Sequence, residues 1–205
     1  MMLNTLELFA GSRSFSKVAE EFGHKVYTTD IEPFDKVDVV CDILKFNPYE
    51  LPYKPDIIWA SPPCTFFSVA SIGKHWNKDH TPKTEQAKLG LHIIRRTLLI
   101  IKVLNPKYYY IENPRGKLRK LSIMKKTEKR NTVWYCKYGD TRAKPTDIWT
   151  NDINWIPRNP CHNGNRECHH QPAPRGSQTG TQGLKNAYEK SKIPPELFYE
   201  ILRGK

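Results

Sequence analysis

Residues 3–23 read "LNTLELFAGSRSFSKVAEEFG", and this stretch decides the fold. Residues 3–9 read as a strand, "AGSRS" as a turn, and residues 14–22 as a helix stopped by Gly23. Small residues at such a turn let a ligand approach the backbone. The helix N-terminus that follows favours a negative group.

The same rhythm continues along the chain. "KVYTTD" (25–30) is a second strand, "VDVV" (37–40) opens a third segment, and residues 56–60 form a fourth. Residues 84–104 carry the longest helical pattern. Leu91, Ile94, Leu98 and Ile101 recur at three- and four-residue spacing, so one face is a core stripe and the basic residues are its solvated face. Pro106 ends that helix, and "KYYYIEN" (107–113) is the next strand. Strands alternating with helices predict an α/β fold with a mostly parallel sheet covered by helices. Composition shifts after residue 140. Residues 150–183 are rich in Pro, Gly, Asn and His, and residues 184–203 return to a helical pattern broken at Ile193-Pro194-Pro195. The expected division is a core over 1–151, a loop-rich insert over 152–183, and a C-terminal segment over 184–205 that returns to the core.

The chain of 205 residues carries 33 Lys+Arg against 21 Asp+Glu, a formal net charge of +12. A surplus spread over the whole chain suits a polyanionic partner, nucleic acid before a membrane surface. No signal peptide and no apolar run of transmembrane length is present, and the five cysteines are scattered. These features predict a reducing cytoplasmic setting, such as a bacterial host cytosol, and no membrane association.

Three short motifs carry chemistry. "IIWASPPC" (57–64) is an apolar strand followed by two prolines, which cannot continue a central ladder because neither has an N–H. Cys64 therefore lies on a stiff turn past the strand's carboxyl end, where ligands bind in open α/β sheets. Alone, a cysteine there reads as a small buried hydrophobe. "YYYIENPRG" (108–116) ends another apolar strand with Glu112 and Asn113, and a carboxylate there is costly without a partner or a task. Asp30 ends the second strand, where a carboxylate pairs with ribose hydroxyls, and Asp42 follows the third segment.

In the order "FAG", "SPPC", "ENP", these motifs resemble the DNA cytosine-5 methyltransferases. "YGDTRAKPTDIWTN" (138–151) and "EKSKIPPEL" (189–197) resemble two later motifs of that family, so the likeness spans all but roughly 152–183. The resemblance implies a Rossmann-like class I methyltransferase that moves a methyl group from S-adenosylmethionine to C5 of cytosine in DNA. It implies Cys64 as the nucleophile that adds at C6, Glu112 as the acid that holds the base, and Arg142 as electrostatic support, with Ser68, Asn113 and Lys144 binding substrate. For the cofactor it implies Phe9 against adenine, Gly11 at the methionine end, Asp30 at the ribose, Asp42 at the adenine amine, Pro62 lining the pocket and Ser191 near the methionine part. A thiolate is required because cytosine C5 is a poor nucleophile until C6 has been attacked.

The chain departs from that family in three places. Its turn reads Gly11-Ser12-Arg13-Ser14 where paired glycines are usual; Arg13 reads as solvent-facing, or as a contact for an extra negative group on a modified cofactor. Thr65 replaces a glutamine, and Arg142-Ala143-Lys144 replaces a longer Gln-x-Arg-x-Arg pattern. Only residues 152–183 stand where the family carries a target-recognition domain, so sequence readout is minimal, supplied by a helper protein, or unnecessary. RNA or a free cytidine nucleotide as substrate, and a catalytically silent nucleic-acid binder, are the alternatives. Oligomeric state is not legible.

The insert holds Cys161, His162, Cys168, His169 and His170 in a segment poor in apolar residues. Cys161, Cys168 and His169 are the candidate ligands for one structural zinc ion, Cys136 is a further candidate, and a metal-free loop is the alternative. Arg166, Arg175 and Lys185 suit phosphate contacts or a solvated surface.

Overall fold

The computed structural model describes residues 1–174, 184 and 186–205. Seven strands form one sheet: β1 (Asn4–Leu8), β2 (Lys25–Asp30), β3 (Val39–Val40), β4 (Ile57–Ala60), β5 (Tyr108–Pro114), β6 (Lys129–Trp134) and β7 (Pro145–Thr150). Their order is β3-β2-β1-β4-β5-β7-β6. The first five are parallel, and β7 runs antiparallel to both β5 and β6. The chain winds outward from β1 through β2 to β3, then restarts on the other side of β1 with β4. The carboxyl ends of β1 and β4 therefore flank the point where the winding reverses, which is where open α/β sheets bind ligands.

Parallel strands buried on both faces read as continuous apolar runs, and β4 does so. Ile58 and Ala60 join one core layer, while Ile57 and Trp59 join the other. The first layer packs under α3 (Glu85–Leu104) through Ile94, Ile100, Ile101 and Leu104. That helix is capped by the Thr84 hydroxyl, which accepts from Ala87 N at 3.2 Å, and stops at Asn105 in the left-handed region. The second layer packs under α1 (Ser14–Glu21) and the C-terminal helix α5 (Pro195–Leu202). Here Phe15 stacks on Trp59 at 5.8 Å, and Phe198 meets Trp59 edge-on at 4.8 Å. Two shorter helices, α2 (Ile72–His75) and α4 (Ala187–Ser191), lie in the connections from β4 to α3 and from β7 to α5.

The strands read from residues 3–9, 25–30, 56–60 and 107–113 appear within one residue at either end. β6 had no signal that separates it from a loop: its burial alternates weakly, and its pairing comes only from β7. Among the described residues no helix is long and apolar enough to cross a membrane.

Candidate active site

Two loops meet at the winding reversal. After β1 the backbone enters the left-handed region at Phe9 (φ 61°), Gly11 (φ 46°) and Arg13 (φ 55°). Left-handed backbone costs a non-glycine residue about 1 kcal/mol or more, so the surroundings must hold it. They do so with Ala10 N donating to Thr29 O (3.0 Å), Gly11 N to Asp30 Oδ2 (2.9 Å) and Arg13 N to Ala10 O (2.7 Å). Arg13 is not solvent-facing. Its side chain is 8% exposed and paired with Glu20, because its left-handed backbone turns it back along α1. Behind the turn, the buried Glu7 accepts from Ser16 N at 2.9 Å and from the Ser16 hydroxyl, closing the start of α1.

After β4, Ser61-Pro62-Pro63-Cys64 leaves the sheet, and Phe67 N and Ser68 N donate back to Cys64 O at 2.9 and 3.0 Å. Three contacts brace this loop. Asn113 Nδ2 donates to Pro62 O at 2.9 Å, Trp76 Nε1 to Phe66 O at 2.6 Å, and Lys117 N to Phe67 O at 2.7 Å. Gly116 permits the last of these: a Cβ there would lie 2.2 Å from Phe67 O. Phe67 is part of the core.

Between the loops lies a cavity of about 350 Å³ bordered by Glu7, the Phe9–Ser12 turn, Pro62, Cys64, Glu112 and Lys144. Ser191, Lys190 and Ile193 border it from the C-terminal segment. A smaller cavity, about 70 Å³, shares Phe9 and Pro63 with it and adds Asp30, Cys41 and Asp42. A larger one of about 550 Å³ lies beyond Ile193 and Arg142. Neither Cys64 nor Glu112 borders that one, so the chemistry belongs to the smaller pair.

Electrostatics in the 350 Å³ cavity centre on Cys64, Glu112 and Lys144. Burial pushes the Cys64 thiol up, Lys144 pulls it down, and Glu112 adds to the rise. Burial also pushes Glu112 up, against the pull of Lys144 and of hydrogen bonds from Tyr135 and Ser61. Tyr135 donates its hydroxyl to Glu112 Oε1 at 3.0 Å, and Lys144 Nζ lies 4.9 Å from the Tyr135 ring centre. A carboxyl raised in this way can keep its proton and donate a hydrogen bond.

Four residues occupy positions other than those the sequence implies. Arg142 is buried outside this cavity with its guanidinium consumed. Nε donates to both Asp140 oxygens at 2.9 Å, Nη1 to Lys190 O at 3.0 Å, and Nη2 to Lys192 O at 2.9 Å. It braces the C-terminal segment, and Lys144 is the cation beside Cys64. Asn113 is fully buried, holds the Pro62 turn and does not border the cavity. Ser68 Oγ pairs with Ser71 Oγ at 3.0 Å away from the cavity wall. His169 Nε2 lies 3.1 Å from Asp140 O, and the neighbouring His170 instead joins Cys136, Cys161 and Cys168, whose ligand atoms all lie within 4.8 Å of one another. Arg166 is exposed, while Arg175 and Lys185 lie outside the described residues. Sequence reasoning missed Glu7, Tyr135 and Gly116. Only the acidic residue inside the "LELF" strand offered a signal.

Residues 3–132 match the family of C-5 cytosine-specific DNA methylases. The chain belongs to that family. A methylase of this family uses S-adenosylmethionine, and the cavity fits it. Asp30 and Asp42 offer acceptors beside the half-buried Phe9 ring, and the Gly11 turn borders the adjoining 350 Å³ cavity. A Frog virus 3 (isolate Goorha) protein named "Probable DNA (cytosine-5)-methyltransferase" is 29% identical over 218 residues, covering 98% of this chain and 99% of its own length. A crystal structure named "putative DNA modification methyltransferase encoded within prophage", from E. coli, aligns with a TM-score of 0.53 at 17% identity. That alignment covers 78% of this methylase and 52% of the prophage chain, and it shows the shared Rossmann-like class I methyltransferase fold.

Proposed function

We propose that this methylase transfers a methyl group from S-adenosylmethionine to C5 of cytosine in DNA, with Cys64 as the nucleophile. One observation carries the reading: Cys64, Glu112 and Lys144 border a single cavity that also opens on the Gly11 turn. Bound S-adenosylmethionine supplies an electrophilic methyl group. Phe9, Asp30 and Asp42 would hold its nucleoside, and the Ser191–Ile193 stretch would cover its methionine part.

The Cys64 thiolate forms a bond to cytosine C6. Glu112 donates its proton toward N3, which offsets the negative charge that builds on the ring as sulfur adds. Carbon C5, now enamine-like, would take the methyl group as the methyl–sulfur bond breaks, which would leave S-adenosylhomocysteine. The C5 proton leaves to a base, and the electron pair it releases expels Cys64 as thiolate. Lys144 stabilises that thiolate at both ends of the cycle. A cytosine in a duplex must first swing out of the stack, at a cost of a few kcal/mol.

The test is an oligonucleotide carrying 5-fluorocytosine, whose C5 fluorine cannot leave as a cation. With S-adenosylmethionine present, the protein should form a denaturant-stable complex through Cys64, mapped by peptide mass spectrometry. Complex formation by the Cys64→Ala variant would overturn the assignment.

A further inference from the structure

We propose that Cys136, Cys161, Cys168 and His170 bind one structural zinc ion that fastens the insert to the connection between β6 and β7. The four ligand atoms all lie within 4.8 Å of one another, three of the four residues are buried, and all five cysteines of the chain are free thiols. Cys161 Sγ lies 3.7 Å from His170 Nδ1. A tetrahedral zinc with bonds of about 2.3 Å to sulfur and about 2.0 Å to nitrogen has ligand–ligand edges of about 3.5–3.8 Å. The arrangement is thus close to that of a closed site. Three thiolates and one imidazole in a tetrahedron select zinc among the common divalent ions.

Protein contacts alone leave this cluster poorly satisfied. His170 Nε2 is buried with no hydrogen-bond partner among the described residues. The partners of His170 Nδ1 among the described residues are thiols of the cluster itself, Cys161 Sγ at 3.7 Å and Cys168. The apolar residues around the cluster are few: Trp134 and Ala143. Among the described residues, 151–174 form no helix and no strand beyond a single bridge from Gln171 to Arg142. A metal would supply the order that so small a core cannot.

The site reaches the cofactor cavity through the backbone. His169 Nε2 lies against Asp140 O, and Gln171 N donates to Thr141 O at 2.8 Å. Asp140 holds Arg142, which holds the carbonyls of Lys190 and Lys192 beside that cavity. The ion is therefore placed to stiffen the brace on the C-terminal segment, and its binding stands independently of the methyl-transfer reading.

The test begins with the full chain purified without chelator and its metals measured by inductively coupled plasma mass spectrometry. One zinc per chain is expected, with Cys41→Ala keeping it and Cys161→Ala and Cys168→Ala losing it. A second measurement does not depend on the variants folding. Mercurial titration of the wild-type protein should release zinc stoichiometrically to a chromogenic chelator. Cobalt in place of zinc should give the visible absorption of a tetrahedral thiolate site. Wild-type protein that holds no metal after zinc addition, reacts freely at all five thiols, or contains a disulfide within this set would overturn the proposal.

Discussion

Replacing Arg142 with lysine separates a brace from a substrate contact. Lysine keeps the positive charge beside Asp140, so long-range attraction to DNA is preserved. It cannot reproduce the fork that reaches Asp140, Lys190 O and Lys192 O together. A hydrogen bond from a charged donor contributes about 1.5–3 kcal/mol. Two such bonds tie the C-terminal segment down, and water reaching the freed carbonyls offsets part of their loss. The net weakening is about 1.5–3 kcal/mol, which at 1.4 kcal/mol per factor of ten means roughly 10- to 150-fold poorer cofactor affinity. Isothermal titration with S-adenosylhomocysteine would measure this, and fluorescence anisotropy with a labelled duplex would give DNA affinity. The expected Arg142→Lys result is a large loss in the first and little change in the second. Unchanged cofactor affinity with a large loss of DNA binding would refute the brace and return Arg142 to the substrate.

Further outcomes follow from the loops and the buried acids. Gly116→Ala forces a Cβ onto Phe67 O at 2.2 Å, a clash of the new methyl group with backbone that should lower stability by about 1–3 kcal/mol in urea unfolding and reduce turnover together. Burial pushes Glu7 up to about 7, against the donors from Ser16 and Phe15. Its protonated form favours the folded state fully below the ordinary value near 4.5, and that contribution is lost as pH rises through about 7. By linkage, the wild-type unfolding free energy from urea titrations should fall between pH 5 and 8 more steeply than that of Glu7→Gln, by about 3 kcal/mol at most. Because burial raises the Cys64 thiol and Lys144 opposes the rise, single-turnover methylation should speed up from neutral to alkaline pH. In Lys144→Met that rise should move to higher pH; an unshifted profile would remove Lys144 from the thiol's surroundings.

What the sequence disclosed is what short segments determine. A strand, a small-residue turn and a helix fall within residues 3–23, and Pro62-Pro63 by itself forces the turn that presents Cys64. Glu112 stood out because a carboxylate at the end of an apolar strand needs a partner or a task, and the fold gives it Tyr135 as a partner. The failures involve contacts between distant segments. Arg142 carried no sign of the Lys190 and Lys192 carbonyls it would meet, 48 and 50 residues away. Asn113 looked like part of a substrate-facing pair, yet its amide meets Pro62 O across 51 residues. His169 and His170 are adjacent in a loop without periodicity, so only the fold could decide which one turns toward the cysteines. Arg13 was assigned to solvent on general exposure, and its left-handed backbone sent it back to Glu20.

The most direct measurement is nucleoside mass spectrometry of DNA from cells expressing this methylase, beside cells expressing Cys64→Ala. The account predicts 5-methylcytosine with the intact cysteine and none with the variant. Equal 5-methylcytosine in both, or none in either when the wild-type protein is folded and binds S-adenosylhomocysteine, would contradict it.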